Sequence, residues 1–425
     1  MQERFLHFIW KFRMIHPNLI SEKNELIEVL DPGDHNTHAG PDFLNGRIRI
    51  GTTLWIGNIE IHFKASDWFR HKHQFDEKYK NLILHLVYEN DLEPEAMMPE
   101  FPATVELKGQ FDERPWDVYQ SMIRSLNWIP CEKLVNTLDE KAWIGVYERL
   151  AIEKLQAKSE QIIQIAEHEK YGWDDGFIFF LIKNFGFHIN NAGFELLART
   201  LDYKLLRKYR GEPVKLESLL FGISGFLEEN HSDQYYLQLQ SEFRYLSGLH
   251  QLKPVPVSIW RLSRLHPANF PAIRLAQLAS LLGGAQHLFS RIIHSNDYSK
   301  TEPWFVTNVN PYWSTHYHFG ISTSIHTAEL GKDSINLLLI NTVAPFLWTF
   351  SSRRISTDLA ERSLEILENL PHEKNSIITN WLKLEVKCEN ALDSQALIHL
   401  YNRYCKLKKC LECKIGMEIL KTKIP

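Results

Sequence analysis

The period of the hydrophobic pattern switches once along this chain, and that switch constrains the fold more than any other feature. Up to about residue 113, apolar residues mostly alternate with polar ones between tight turns. After Asp112–Pro115 they recur at helical spacing. A pattern with one period does not settle into an element with the other. The expectation is an α+β domain over 1–113 followed by a large all-α domain over 114–425. The cysteine-containing end of that second domain, 388–425, turns basic over 402–425, with 7 Lys+Arg against 2 Glu.

Within the first segment, Phe5, Leu6, Phe8, Ile9 and Phe12 predict an amphipathic helix over 2–13. LIEVL (26–30), FLNGRIRI (43–50), LWIGNIEIHFK (54–64) and NLILHLVYE (81–89) read as strands, with Gly51-Thr52-Thr53 turning the middle two into a hairpin. Residues 65–80 fit a helix opened by Ser66 or Asp67, and ATVELK (103–108) fits an edge strand. The order is helix, strand, strand, strand, helix, strand. Helices are expected near 116–127, 139–166, 175–185, 192–208, 234–248, 271–283, 334–348, 357–369, 376–386, 392–404 and 408–421.

Composition narrows the function classes. With 48 Lys+Arg against 52 Asp+Glu, the chain is not a generic polyanion binder. Five Cys in 425 residues exclude a disulfide-built secreted scaffold. The first twenty residues mix charges with aromatics, unlike a signal peptide, and the apolar stretch 335–348 is too short to span a bilayer. The expected address is cytoplasmic, without membrane contact. No phosphate-binding Gly-rich loop occurs, so no nucleotide cofactor is expected.

Between 31 and 91 lies the densest group of chemically capable side chains, including six of the twenty His. On a strand over 54–64, Glu60, His62 and Lys64 share one face, and Ile59, Ile61 and Phe63 the other. Asp42, at the start of the partner strand, can approach that row. Two carboxylates from neighbouring strands suit a hard divalent cation such as Mg²⁺ or Mn²⁺, with Lys64 or His62 orienting a water. On a helix over 65–80, Trp68, His71, Phe75 and Tyr79 would share one side, with His73 and Asp76 close by. The same residues also suit a solvated sheet face, with Asp42 serving only a turn.

The element order, Pro41-Asp42 at the hairpin's start and Glu60-Ile61-His62 in its second strand resemble the restriction-endonuclease-like nucleases, recognised by Pro-Asp, a spacer and then Asp/Glu-x-Lys. The resemblance covers about the first 90 residues. It implies that fold, metal ligands at Asp42 and Glu60, and phosphodiester hydrolysis on DNA or RNA. His62 stands where the family has Lys, which leaves Lys64 as the substitute or makes the chain a degenerate, inactive relative. An acid of the first helix often assists in that superfamily, and Glu3 is the acidic residue there. The runs GPDFLNGRIRI, GNIEIHFKASDWFRHKHQFDEKYKNLILHLVYEND and WRLSRLHPANFPAIRLAQLA are also similar to a bacterial family known only as a domain of unknown function.

Three further readings stand beside the nuclease. A His-rich site (His35, His38, His62, His71, His73) points to a transition-metal hydrolase using Zn²⁺ or Mn²⁺. A face without catalysis points to an interaction scaffold. Cys405, Cys410 and Cys413, with Cys388 or His399 as fourth ligand, suit Zn²⁺ or an iron–sulfur cluster, and equally serve as small packing residues. Arg261, Arg264 and Arg274 suit a phosphate clamp or structural ion pairs. The 13 Lys+Arg against 19 Asp+Glu of residues 1–114 work against a phosphate grip there.

Overall fold

The structure, a computed structural model, describes residues 2–92, 102–169, 171–284, 287–295 and 302–422. The chain divides into two compact units, 1–144 together with 400–425, and 145–399. The division therefore falls beyond residue 113, and the C-terminal tail belongs with the sheet rather than with the helices. Helix α3 (Arg114–Arg124) joins the first unit too.

The first unit is built on a mixed sheet. Its strands are β1 (Leu19–Ile20), β2 (Leu26–Asp31), β3 (Asp34–His35), β4 (Phe43–Ile50), β5 (Thr53–Lys64), β6 (Leu82–Glu89) and β7 (Ala103–Glu106). The order is β1-β2-β4-β5-β6-β7, with β3 pairing β4. β4 and β5 form the expected antiparallel hairpin through Gly51, whose φ of +56° suits a turn. β6 then returns parallel to β5, and β7 lies parallel to β6. A parallel return needs a crossover, and residues 65–81 supply it. Ile59, Glu60, Ile61 and His62 are all buried, so the sheet is covered on both faces at this point.

Helix α1 (Glu3–Lys11) forms as expected and buries Phe5, Leu6, Phe8, Ile9 and Trp10. Phe5 stacks on Tyr119 of α3 with ring centroids 5.7 Å apart, and Lys421 of the last helix, Lys414–Thr422, lies 4.0 Å over the Phe12 ring.

The single helix expected over 65–80 does not form. α2 (Asp67–Arg70) stops after four residues, and 3₁₀ turns follow at His73–Phe75 and Glu77–Tyr79. Lys72 adopts the left-handed conformation (φ +62°), which a continuous helix cannot contain. The Asp76 carboxylate then accepts the Lys78 N–H at 3.0 Å and starts a new turn. Phe75 consequently points to solvent.

Among its described residues the second unit is mostly helical, with irregular stretches over 251–270 and 302–331, the latter holding a small hairpin of His316–His318 with Ile321–Ser322. The expected 139–166 helix starts only at Val146, after Gly145 in the left-handed region, and ends in a π turn at Gln164–His168. The 192–208 helix splits into Asn191–Thr200 and Tyr203–Lys208 because Asp202 caps the second. Helices Pro213–Ile223 and Leu288–His294 are additions to the expected set. The helical run 332–354 is long and apolar enough to cross a membrane by length and composition, longer than the apolar stretch alone suggests, and 78% of its most apolar window is buried inside the protein.

Candidate functional site

The site grows from the register of three neighbouring strands. β4 sets Phe43 opposite Ile59 of β5, and β5 sets Glu60 beside His85 of β6. Asp42, one residue before β4, therefore arrives next to Glu60. The Asp42 backbone N–H donates to Glu60 Oε2 at 3.1 Å, and Asp42 Oδ2 accepts the Ile61 N–H at 2.9 Å. Each acid is tied to the backbone of the other's segment. Asn36 braces the loop before Asp42: its N–H donates to the Asp42 carbonyl at 2.8 Å and its side-chain amide to the Pro41 carbonyl at 2.9 Å.

A third acid comes from α1. Glu3 and His7 are one turn apart on that helix. His7 Nε2 lies 3.3 Å from Asp42 Oδ2 and 4.0 Å from Glu3 Oε1. Glu60 is buried, and burial followed by the charge of Asp42 pushes its carboxyl up to about 9. Glu3 is raised for the same two reasons, in the same order.

The imidazoles converge on the other side of Glu60. His62 is 1% exposed. Its Nδ1 lies 2.9 Å from His85 Nε2, and its Nε2 lies 3.2 Å from His71 Nδ1 and 3.5 Å from Glu60 Oε1. His73 stacks on His62 with centroids 5.2 Å apart and brings its Nε2 to 3.4 Å from Glu60 Oε1. Ligand atoms of His62, His71 and His73 all lie within 4.8 Å of one another. Burial and the neighbouring imidazoles hold His62 down at about 2 and His85 at about 3, so both rings are neutral. Tyr79 covers His73 with centroids 4.0 Å apart, and burial and then Glu60 raise its phenol well above the ordinary value.

The break in the crossover makes this convergence possible. In one continuous helix His71 and His73, two residues apart, would point in nearly opposite directions. The left-handed Lys72 between them turns both rings to His62.

Asp42, Glu60, His62, His71, His73 and Tyr79 thus come together. Lys64 stands at the exit of β5 with its ammonium 4.0 Å from Asp91 Oδ2. Asp76 acts as a turn cap. His35 packs on Phe43 and His7, with centroids 5.1 and 5.6 Å away, and the exposed His38 donates its backbone N–H to Asn36; neither belongs to the trio of imidazoles. His7 joins the site without having been singled out by sequence, and His85, one of the six histidines counted between 31 and 91, reaches its edge through His62 without having been given a role. The signals existed: His7 follows Glu3 by one helical turn, and His85 is the polar residue at the centre of the apolar strand 81–89.

The donor set suits a divalent cation. A buried carboxylate beside a second and a third acid is costly unless a cation shares them. Oxygen ligands from Asp42 and Glu60 combine with neutral imidazole nitrogens, one of which, His62, is oriented through its second nitrogen by His85.

The other candidates separate. Cys405, Cys410 and Cys413 are buried in the first unit with Cys131, while Cys388 and His399 belong to the second. Cys388 lies near Asp393 and Glu373, and His399 Nε2 is 3.4 Å from Glu153 Oε2. Arg274 is committed internally: it donates to Gln277 Oε1 at 2.8 Å, Asn269 Oδ1 at 2.7 Å and Ser334 Oγ at 3.2 Å, and its guanidinium covers the Phe187 ring at 4.1 Å. Arg264 has φ +57° and is exposed.

No curated protein and no solved structure matches the chain. A family model does match, over residues 3–376, and so takes in the site and most of the helical unit. The chain belongs to the family described as protein of unknown function (DUF2851).

Proposed function

We propose that the sheet unit is a divalent-metal-dependent hydrolase of nuclease type, acting on phosphodiester bonds in DNA or RNA. One observation carries the reading: the Glu60 carboxylate accepts the Asp42 backbone N–H, the Asp42 carboxylate accepts the N–H of Ile61 beside Glu60, and the buried Glu60 lies against the imidazoles of His62 and His73. The order helix, strand, hairpin, broken helical crossover and parallel strand supports it, being close to the helix–strand–hairpin–helix–strand order that the nuclease resemblance implies.

Asp42, Glu60 and one or more of His62, His71 and His73 would hold the ion. Such an ion polarises a phosphoryl oxygen and makes a bound water acidic. The protein's own part is to aim these donors. The bond from His62 to His85 fixes which nitrogen faces the cluster. His62 takes the position of the family's lysine and, being neutral, accepts or orients a proton rather than supplying a positive charge. Lys64 is held toward Asp91 and supplies charge at the rim.

The His trio favours a second reading of the metal. Imidazole ligands suit Mn²⁺, Zn²⁺ or Fe²⁺ better than Mg²⁺, so the hydrolase would prefer a transition metal.

The test is cleavage of single-stranded, duplex and structured DNA and RNA by the purified chain with Mg²⁺, Mn²⁺ or Zn²⁺. Cleavage should need metal, and Glu60→Gln should reduce it on the order of 10²–10³-fold without loss of folding. Inertness on every substrate, with no metal bound by the folded protein, overturns the hydrolase and leaves the interaction scaffold.

A further inference from the structure

Five cysteines occur in the chain, and all are buried and free of disulfides. Four of them share the first unit although Cys131 precedes Cys405 by 274 residues. Cys131 sits in the loop after α3. The Cys131 carbonyl accepts the N–H groups of Leu134 and Val135 at 2.8 and 2.9 Å, so its segment is a tight turn. Cys405 ends the π turn Tyr401–Cys405, and Cys410 and Cys413 lie in the turns before the last helix.

Several features hold these segments together. Trp128 stacks on Tyr401 with centroids 4.8 Å apart. The Lys408 ammonium donates to the carbonyls of Ile123 and Ser125 at 2.6 and 3.1 Å. Gly416 lets the last helix close on the Cys410 backbone, for a Cβ there would stand 2.3 Å from the Cys410 carbonyl oxygen. The side chains of Cys131, Cys405, Cys410 and Cys413 are 7%, 8%, 6% and 7% exposed. Among the described residues no three of these sulfurs lie within 4.8 Å of one another, a wider spacing than the tetrahedron around a single Zn²⁺.

We infer that Cys131, Cys405, Cys410 and Cys413 form a four-thiolate centre for an iron–sulfur cluster, whose several irons space the cysteines more widely than a single Zn²⁺ does. Four thiolates are the donor set such a cluster takes. Binding is acid–base and ligand exchange without change of oxidation state at sulfur: four S–H protons leave to solvent and four sulfur–metal bonds form. The centre carries net negative charge in a lysine-rich stretch, where Lys408 donates to the Ile123 and Ser125 carbonyls, Lys409 pairs with Glu412 and Lys414 donates to the Ile144 carbonyl. The assignment exchanges the expected fourth ligand, Cys388 or His399, for Cys131, a residue that no local spacing connects to the other three. It is independent of the Asp42–Glu60 site.

The experiment is metal and acid-labile sulfide analysis of the full chain, purified without a His tag and without oxygen. A His71→Ala/His73→Ala variant serves as the background so that the other site does not contribute. Iron with matching acid-labile sulfide and a visible absorption band is expected. Zn²⁺ in place of iron and sulfide overturns the cluster. Cys131→Ser and Cys410→Ser should lose this metal, and Cys388→Ser should keep it. A second measurement guards against variants that fail to fold: in the unmodified chain, a mercurial thiol reagent should release the metal in step with titration of the cysteines. Protein that holds no iron and takes up none when supplied with iron and sulfide overturns the inference, as does a cluster retained by a folded Cys131→Ser variant.

Discussion

His85 shows how a buried residue can govern a site that it does not enter. It holds His62 by a ring-to-ring hydrogen bond of 2.9 Å and is itself fully buried. Partners of this kind usually change metal affinity 10- to 100-fold when removed. His85→Phe should weaken metal binding by about that factor in calorimetric titration, while Lys64→Ala should leave it within a few-fold. The reason is positional: the Lys64 ammonium faces Asp91. Glu217, in the helical unit, offers a separate test at this scale. It is buried and accepts the Tyr235 hydroxyl. Burial raises its carboxyl from 4.5 to about 7. Between those values the folded protein binds more protons than the unfolded chain, so stability falls as pH rises through that window. Glu217→Gln stays neutral and should be more stable than the parent above pH 7, by about 2–3 kcal/mol at most, with the difference vanishing below pH 4.5. Urea denaturation at several pH values measures it. The sequence set Glu60 and His62 on one face by strand alternation and Asp42 near them by its place at the start of the hairpin. It could not separate His62 from Lys64, because the end of a strand is free to send a long side chain elsewhere.

Elements were readable where one physical rule dominated. β4 and β5 follow from alternation around Gly51, and Thr357–Asn369 follows from a helical stripe capped by Ser356. Where two rules competed, the pattern misled. The 65–80 segment has helical spacing, yet Lys72 and Asp76 break it by local backbone chemistry, and the break is what gathers His71 and His73. Pro213–Ile223 escaped for the opposite reason: Leu216 through Ile223 are all buried, so no polar face marks a period. Gly57 tests how strictly β5 and β6 must align. A Cβ there would stand 2.6 Å from the Asn81 carbonyl oxygen and 2.5 Å from an Ile83 methyl. Gly57→Ala should cost about 1–3 kcal/mol in denaturant unfolding, since backbone cannot yield as a side chain does. It should also lower metal affinity, because the β5–β6 pairing sets Glu60 beside His85.

At the scale of the whole molecule, the first unit is interrupted: the chain leaves it at residue 144 and returns at 400. Such a split is invisible to hydrophobic period, which changes only once, near 113. The fold compensates by local ties such as Lys408 on the carbonyls after α3 and Lys421 over Phe12. A metal shared by Cys131 and the 405–413 turns would add a cross-link closing a loop of 274 residues. The chain-entropy argument puts the largest stabilisation from such a closure at roughly 5 kcal/mol, because restricting so long a loop removes much freedom from the unfolded state. Local hydrogen bonds confer less, since each exchanges with water. Stripping the metal with a chelator should therefore lower the melting temperature by about 5–10 °C, and the drop should persist in the His71→Ala/His73→Ala background. Cys388→Ser should show the same drop as the parent. In that background Cys131→Ser should start at the lower temperature and not respond to chelator, a pattern that loss of packing alone does not produce. Differential scanning calorimetry with and without chelator separates the two.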